Sequence, residues 1–140
     1  MSQMSTRALW DEQRLSSQGK EPKLRLSLET RVAEDVTVIC CQGRIAYGIE
    51  AAALSGEVAE LARQTRRVVI DLSGVEMIDA AGLGALISVV MTAQASQCSI
   101  KLAAPSNRIR QLLELTKLAS VFELYPTVDA ATVASRGQAA

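Results

Sequence analysis

The spacing of apolar residues changes period repeatedly along this chain, and that alternation restricts the fold more than any other feature of the sequence. Leu24 to Val32 (LRLSLETRV) alternates apolar and polar residues, the two-residue period of a strand with one buried face. Val36 to Cys41 (VTVICC) is β-branched and almost wholly apolar, as expected of a more central strand. Glu34 and Asp35 stand between the two and predict a turn, so the pair reads as a hairpin.

Beyond Gly43 the period lengthens. Ala51, Leu54, Val58, Leu61 and Ala62 predict a helix over 49–64, which Gly56 weakens by ~1 kcal/mol relative to alanine. Arg67 to Leu72 (RVVIDL) reads as a buried strand bounded by Ser73-Gly74. Leu83, Leu86, Ile87, Val90 and Met91 predict a helix over 80–96, and Ser99 to Leu102 a further strand. Pro105-Ser106-Asn107 opens a third helix with Ile109, Leu112, Leu113 and Thr116 on one stripe. Val121 to Tyr125 reads as a short edge strand closed by Pro126, and Val128 to Ala134 as a last helix. A hairpin followed by alternating helix and strand predicts an α/β domain: one open mixed sheet of about four or five strands with about four helices packed against it.

The length of 140 residues suits a single domain, expected over 23–135. Residues 1–22 read as a polar tail, expected to be flexible, in which Ala8, Leu9 and Trp10 could form a small apolar clip. Residues 136–140 read as a short second tail.

Several function classes are excluded on composition. Fifteen basic residues balance fifteen acidic ones, and the local positive spots at Arg66, Arg67, Arg108, Arg110 and Lys117 have Glu60, Asp71 and Glu114 nearby in sequence. Such a balance argues against nucleic acid as a partner. Cys40, Cys41 and Cys98 are odd in number and lack zinc spacing, so they read as reduced core thiols. With no histidine in the chain, imidazole-dependent triads and general-base schemes are ruled out. Neither a signal peptide nor an uninterrupted membrane-spanning run is visible, which predicts a soluble, cytoplasmic protein without direct membrane insertion. The "AAGLGAL" segment lacks the lysine of a phosphate-binding loop. Asp71, Glu76 and Asp79 could ligate a hard cation, but nothing else in the chain completes such a set. Imidazole, phosphate-loop and metal-ion chemistry are therefore not expected of this chain.

What remains is the stretch DLSGVEMIDAAGLGAL, residues 71–86. Asp79 directly precedes the helical stripe, where its carboxylate can accept hydrogen bonds from the first free N–H groups. Ala80, Ala81 and Gly82 keep the first turn almost bare, either for packing against a neighbouring strand or for close approach by a protein surface or an anion.

The segment VVIDLSGVEMIDAAGLGAL resembles the signature of the STAS domain, found in anti-sigma factor antagonists and in sulfate transporters, in which a strand ending Asp-Leu-Ser is followed by Asp-Ser-Ser-Gly-Leu opening a helix. KLAAPSNRIRQLLELTKLASVFELYPTVDAA is similar to the later strand, helix and final strand of that family, and VICCQGRI to its strand before the first helix. The resemblance spans residues 24–135 and implies a non-enzymatic interaction module, with no catalytic residues and no cofactor, that binds an anti-sigma factor, commonly a serine kinase. It also implies an alternative, an accessory subunit beside an ABC-type subunit of a lipid or anion transport complex.

By the same resemblance, the kinase phosphorylates the serine immediately before the motif's glycine, a position held here by Ala81, with Ala80 before it. Alanine offers no hydroxyl, so the phosphate switch is absent at that point. Arg44 and Ala46 also replace residues that are commonly acidic in the family. The expected partner surface comprises Met77, Asp79, Ala80, Ala81, Gly82 and Leu83. Ser73 and Thr116 are the hydroxyls that could substitute for the missing acceptor, although turn and helix-stripe roles account for them.

Overall fold

The computed structural model describes residues 24–118 and 121–137. The proposed apolar clip at Ala8, Leu9 and Trp10 lies outside the described residues.

A five-stranded sheet forms in the order β1-β2-β3-β4-β5, with β1 (Leu26–Ala33), β2 (Val36–Ile45), β3 (Arg67–Ile78), β4 (Ser99–Ala103) and β5 (Leu124–Tyr125). Only the β1–β2 pair is antiparallel; the other three are parallel. The connecting helices are α1 (Ile49–Ala62), α2 (Ala80–Ala95), α3 (Asn107–Leu115) and α4 (Val128–Gly137). The expected mixed α/β sheet is therefore present.

Side chains alternate between the two faces of each central strand. Ile39, Cys41, Val68, Ile70, Leu72, Ile100 and Leu102 point into the larger core, where Leu54 and Val58 of α1, Leu86 and Val90 of α2, and Ile109 and Leu113 of α3 cover them. Val36, Val38, Val69 and Ala103 point the other way, against Ala131 and Val128 of α4. Both faces are covered at the centre, which is why β2 and β3 are so apolar. Lys101 also faces the α4 side and is fully buried; its Nζ meets Glu123 at 2.7 Å.

At the hairpin, Glu34 and Asp35 have φ of 51° and 62°, the paired left-handed conformation that matches the twist of a two-residue connection. Arg67 ties this turn to α4, reaching Asp35 at 3.1 Å and the Ser135 carbonyl at 2.9 Å. All three cysteines are free, with Cys41 and Cys98 buried and Cys40 half-buried. Burial, with Asp71 and Cys40 adding to it, pushes the Cys41 thiol up to about 12, so it stays protonated at neutral pH and packs as a small apolar group.

Several boundaries differ from the sequence reading. β3 does not stop at Ser73-Gly74 but runs on to Ile78. The Asp71 carboxylate accepts the Ser73 N–H at 2.9 Å, and the pairing with β2 shifts register between Cys40 and Gln42, so the polar pair marks an irregularity inside the strand rather than its end. β2 likewise continues past Cys41, through a second shift at Gly43, whose φ of 114° and close approach to the Arg25 carbonyl leave no room for a side chain. At the other end of the chain, β5 is confined to Leu124–Tyr125 while α4 extends to Gly137.

Candidate docking site

The continuation of β2 and β3 beyond their irregular pairing builds the site. Arg44 pairs with Met77 and Ile45 with Ile78, so both strands end side by side. The Asp79 N–H points at the Ile45 carbonyl, 3.4 Å away. The loop after β2 and the first turn of α2 thereby form a single tip.

Asp79 ties its two halves together. In extended backbone (φ −99°, ψ −174°) it caps α2, with Oδ1 accepting the Gly82 N–H at 2.9 Å. Oδ2 accepts the Tyr47 N–H from the neighbouring loop, also at 2.9 Å. The Tyr47 N–H, then the Gly82 N–H, stabilise the ionised form and hold the carboxyl below its ordinary value of 3.8. Because the folded value lies below the unfolded one, this stabilisation is complete above pH ~4 and is lost as pH falls through the folded value. Asp79→Ala is expected to cost about 1 kcal/mol at neutral pH, the usual worth of a helix cap. The difference in melting temperature from the parent should shrink steadily below pH ~4 in a thermal series, since protonation removes from the parent what the mutation has already removed.

The six residues expected to form the partner surface have three different placements. Ala80 and Ala81 are exposed, and Met77 is 39 % exposed beside them. Asp79 is the strut beneath. Gly82 is buried and Leu83 partly buried against the core. A Cβ on Gly82 would collide with the Ile45 carbonyl oxygen, so the two readings of this bare turn divide by residue: the glycine serves packing, and the alanines stay open to visitors. From Ala80 to Ala95, α2 contains no Asp, Glu, Lys or Arg.

Sequence reasoning missed the other half of the tip. Glu50, in the first turn of α1, is fully buried, and its carboxylate accepts the N–H groups of Arg25 (2.6 Å) and Ala46 (3.1 Å). Arg44 Nε lies 2.9 Å from both of its oxygens. The Arg44 guanidinium in turn sits over the Tyr47 ring, 4.4 Å from the centroid. The arginine that departs from the usual acid is thus matched by an acid six residues later. No helical or strand spacing links those positions, so no periodicity could have paired them.

Neither substitute hydroxyl belongs to the tip contacts. Ser73 is exposed within β3. Thr116 is the exposed C-cap of α3, not a member of its buried stripe, and its hydroxyl donates to the Leu112 carbonyl at 2.8 Å. Among the described residues no three His, Cys, Asp or Glu side chains converge as a metal set, and no helix is long and apolar enough to cross a membrane.

Fold and tip together define a class: an α/β module of one mixed sheet with a two-loop tip at the end of its central strands. The chain belongs to the STAS domain family, which matches residues 27–131. STAS domains are generally regulatory interaction modules. An anti-sigma factor antagonist from Mycobacterium paratuberculosis is similar at 26 % identity and a TM-score of 0.73, over 83 % of this chain and 98 % of that one. The phosphorylated form of the Bacillus cell fate determinant SpoIIAA is similar in fold at 16 % identity and a TM-score of 0.58, over 78 % and 97 % of the two chains. A sulfate transporter family protein from Wolinella succinogenes shares the fold at 18 % identity and a TM-score of 0.66, over 76 % and 88 %.

Proposed function

We propose that this chain is a cytoplasmic, non-enzymatic antagonist that binds an anti-sigma factor of the serine-kinase type through Met77, Asp79, Ala80, Ala81, Gly82 and Leu83. The observation that carries this reading is the exposure of Ala80 and Ala81 at an acid-capped helix tip. The likeness to the mycobacterial antagonist supports the choice of partner. Ala81 occupies the place that takes phosphate in the resembled motif, so the kinase has nothing to modify there and binding is not ended by phosphorylation at this point.

Ala81→Glu tests the surface without harming the fold. A glutamate in the first turn of α2 favours the positive end of the helix dipole, so the melting temperature should hold or rise slightly. Binding to a purified kinase-type anti-sigma factor should weaken by roughly a hundredfold or more, because an unpaired charge would be desolvated in the contact. Unchanged affinity would place the contact elsewhere on the molecule.

A second reading, an accessory STAS subunit of a lipid or anion transport complex, draws on the likeness to the sulfate transporter family protein. That likeness is one of fold, so it ranks second. Co-purification with an ATP-binding transport subunit, in place of a kinase-type anti-sigma factor, would reverse the order.

A further inference from the structure

We infer that Tyr47 is the aromatic anchor of the tip, held ready by Arg44 and Asp79 for a protein partner whose contact face is apolar and uncharged. This inference rests on the docking role proposed above and adds a residue and a partner chemistry to it.

Tyr47 is 60 % exposed and belongs to neither core cluster, so its ring does not hold the fold together. Its backbone is left-handed, with φ of 57°, followed by Gly48 at 68°. A bulky side chain seldom adopts that conformation, and here the surroundings fix it. The Tyr47 N–H is bound by Asp79, and the ring is stacked against a guanidinium that buried Glu50 holds in place. A large ring kept outside on an immobilised loop loses little freedom when a partner covers it. Tyrosine is enriched among the residues that dominate binding energy at interfaces.

The charges of the tip decide what can cover it. Arg44 is matched by Glu50, the Asp79 carboxylate is occupied by two N–H groups, and α2 carries no charged side chain. Glu76, exposed and next to Met77 in the chain, supplies only a polar edge. A cationic side chain docking over Ala80, Ala81 and Tyr47 would lose its water without gaining a free counter-ion, and an anionic one would meet a helix end whose Gly82 N–H Asp79 already holds. An apolar, uncharged face incurs no such loss.

The test uses the full chain and each kinase-type anti-sigma factor of its source cell, purified singly and titrated by calorimetry. Tyr47→Gly removes the ring and also relieves the left-handed backbone, so it should melt no lower than Tyr47→Ala while binding at least about tenfold more weakly than the parent. Tyr47→Phe keeps the ring and should stay within about threefold of the parent. Raising the salt from 0.05 to 0.5 M should change the parent affinity by less than about threefold. Parent-like binding by Tyr47→Gly, with Ala81→Glu inactive, would overturn the anchor and leave the docking role standing. A steep loss of affinity with salt would overturn the uncharged partner face. If none of the factors binds the parent, the docking role and the anchor fall together.

Discussion

Replacing Gly82 by alanine is expected to destabilise the fold by about 3 kcal/mol or more, at the upper end for an overpacked core site. The new methyl group would fall on the Ile45 carbonyl oxygen, 2.9 Å from Ile78 Cγ2 and 3.1 Å from the Ile45 carbonyl carbon. Two of those three atoms are backbone. A flexible side chain could swing away, but a β2 carbonyl moves only if the strand end or the helix tip moves with it. Because Asp79 joins the same tip to Tyr47, the displacement should also lower partner affinity.

Gly84, two residues further along α2, provides the opposite control. It is exposed, and nothing lies within 4 Å of where its Cβ would stand. Gly84→Ala should therefore stabilise the protein by up to about 1 kcal/mol, through helix propensity and a more restricted unfolded chain. Urea titration of the two variants reads both signs on one scale. Two glycines in one helix would differ in sign because one faces a strand end and the other faces solvent.

That contrast also shows what the amino-acid sequence could and could not reveal. Glu34-Asp35 and Asp79 were legible because turns and caps are local: the residue type and its immediate neighbours decide the geometry. The alternation of strand and helix was legible because the sheet buries both faces of β2 and β3 and the helices bury one. Ser73-Gly74 misled because a polar pair inside a strand looks the same as a pair after one, and only the partner strand shows that the ladder resumes at Gly74. Gly82 was ambiguous because a missing side chain has no direction in a sequence. Tyr47 was invisible as a site residue because its role depends on Asp79, far away along the chain, and on a guanidinium stacked above it.

The tip is consequently a joint product of two loops, tied by polar contacts that are buried at Glu50 and exposed or half-buried at Asp79, above the buried side chains of Ile45 and Ile78. Ala80 and Ala81 supply the open surface. The order comes from two carboxylates, Asp79 on the α2 side and Glu50 on the α1 side, each accepting two backbone N–H groups. The two are connected through Arg44 and Tyr47. Loosening either carboxylate should therefore reach the docking surface, even though Glu50 lies outside the six residues proposed to touch the partner.

Glu50→Ala is the stronger of those two perturbations, with an expected loss of about 4 kcal/mol, in the range for breaking a buried ion pair from one side. The substitution leaves the Arg25 and Ala46 N–H groups without their acceptor, and strands a guanidinium whose side chain is only 20 % exposed. Set against a typical domain stability of about 5–15 kcal/mol, the variant would be marginal. Glu50→Gln keeps the shape and an acceptor oxygen but removes the charge, so its midpoint in urea should fall between those of the parent and Glu50→Ala at an unchanged slope. Adding Arg44→Met to Glu50→Ala removes the stranded cation, and the double variant should be more stable than the sum of the two single losses predicts. Strict additivity in that cycle would mean that Arg44 and Glu50 do not support one another, and that Glu50 acts only through the Arg25 and Ala46 N–H groups.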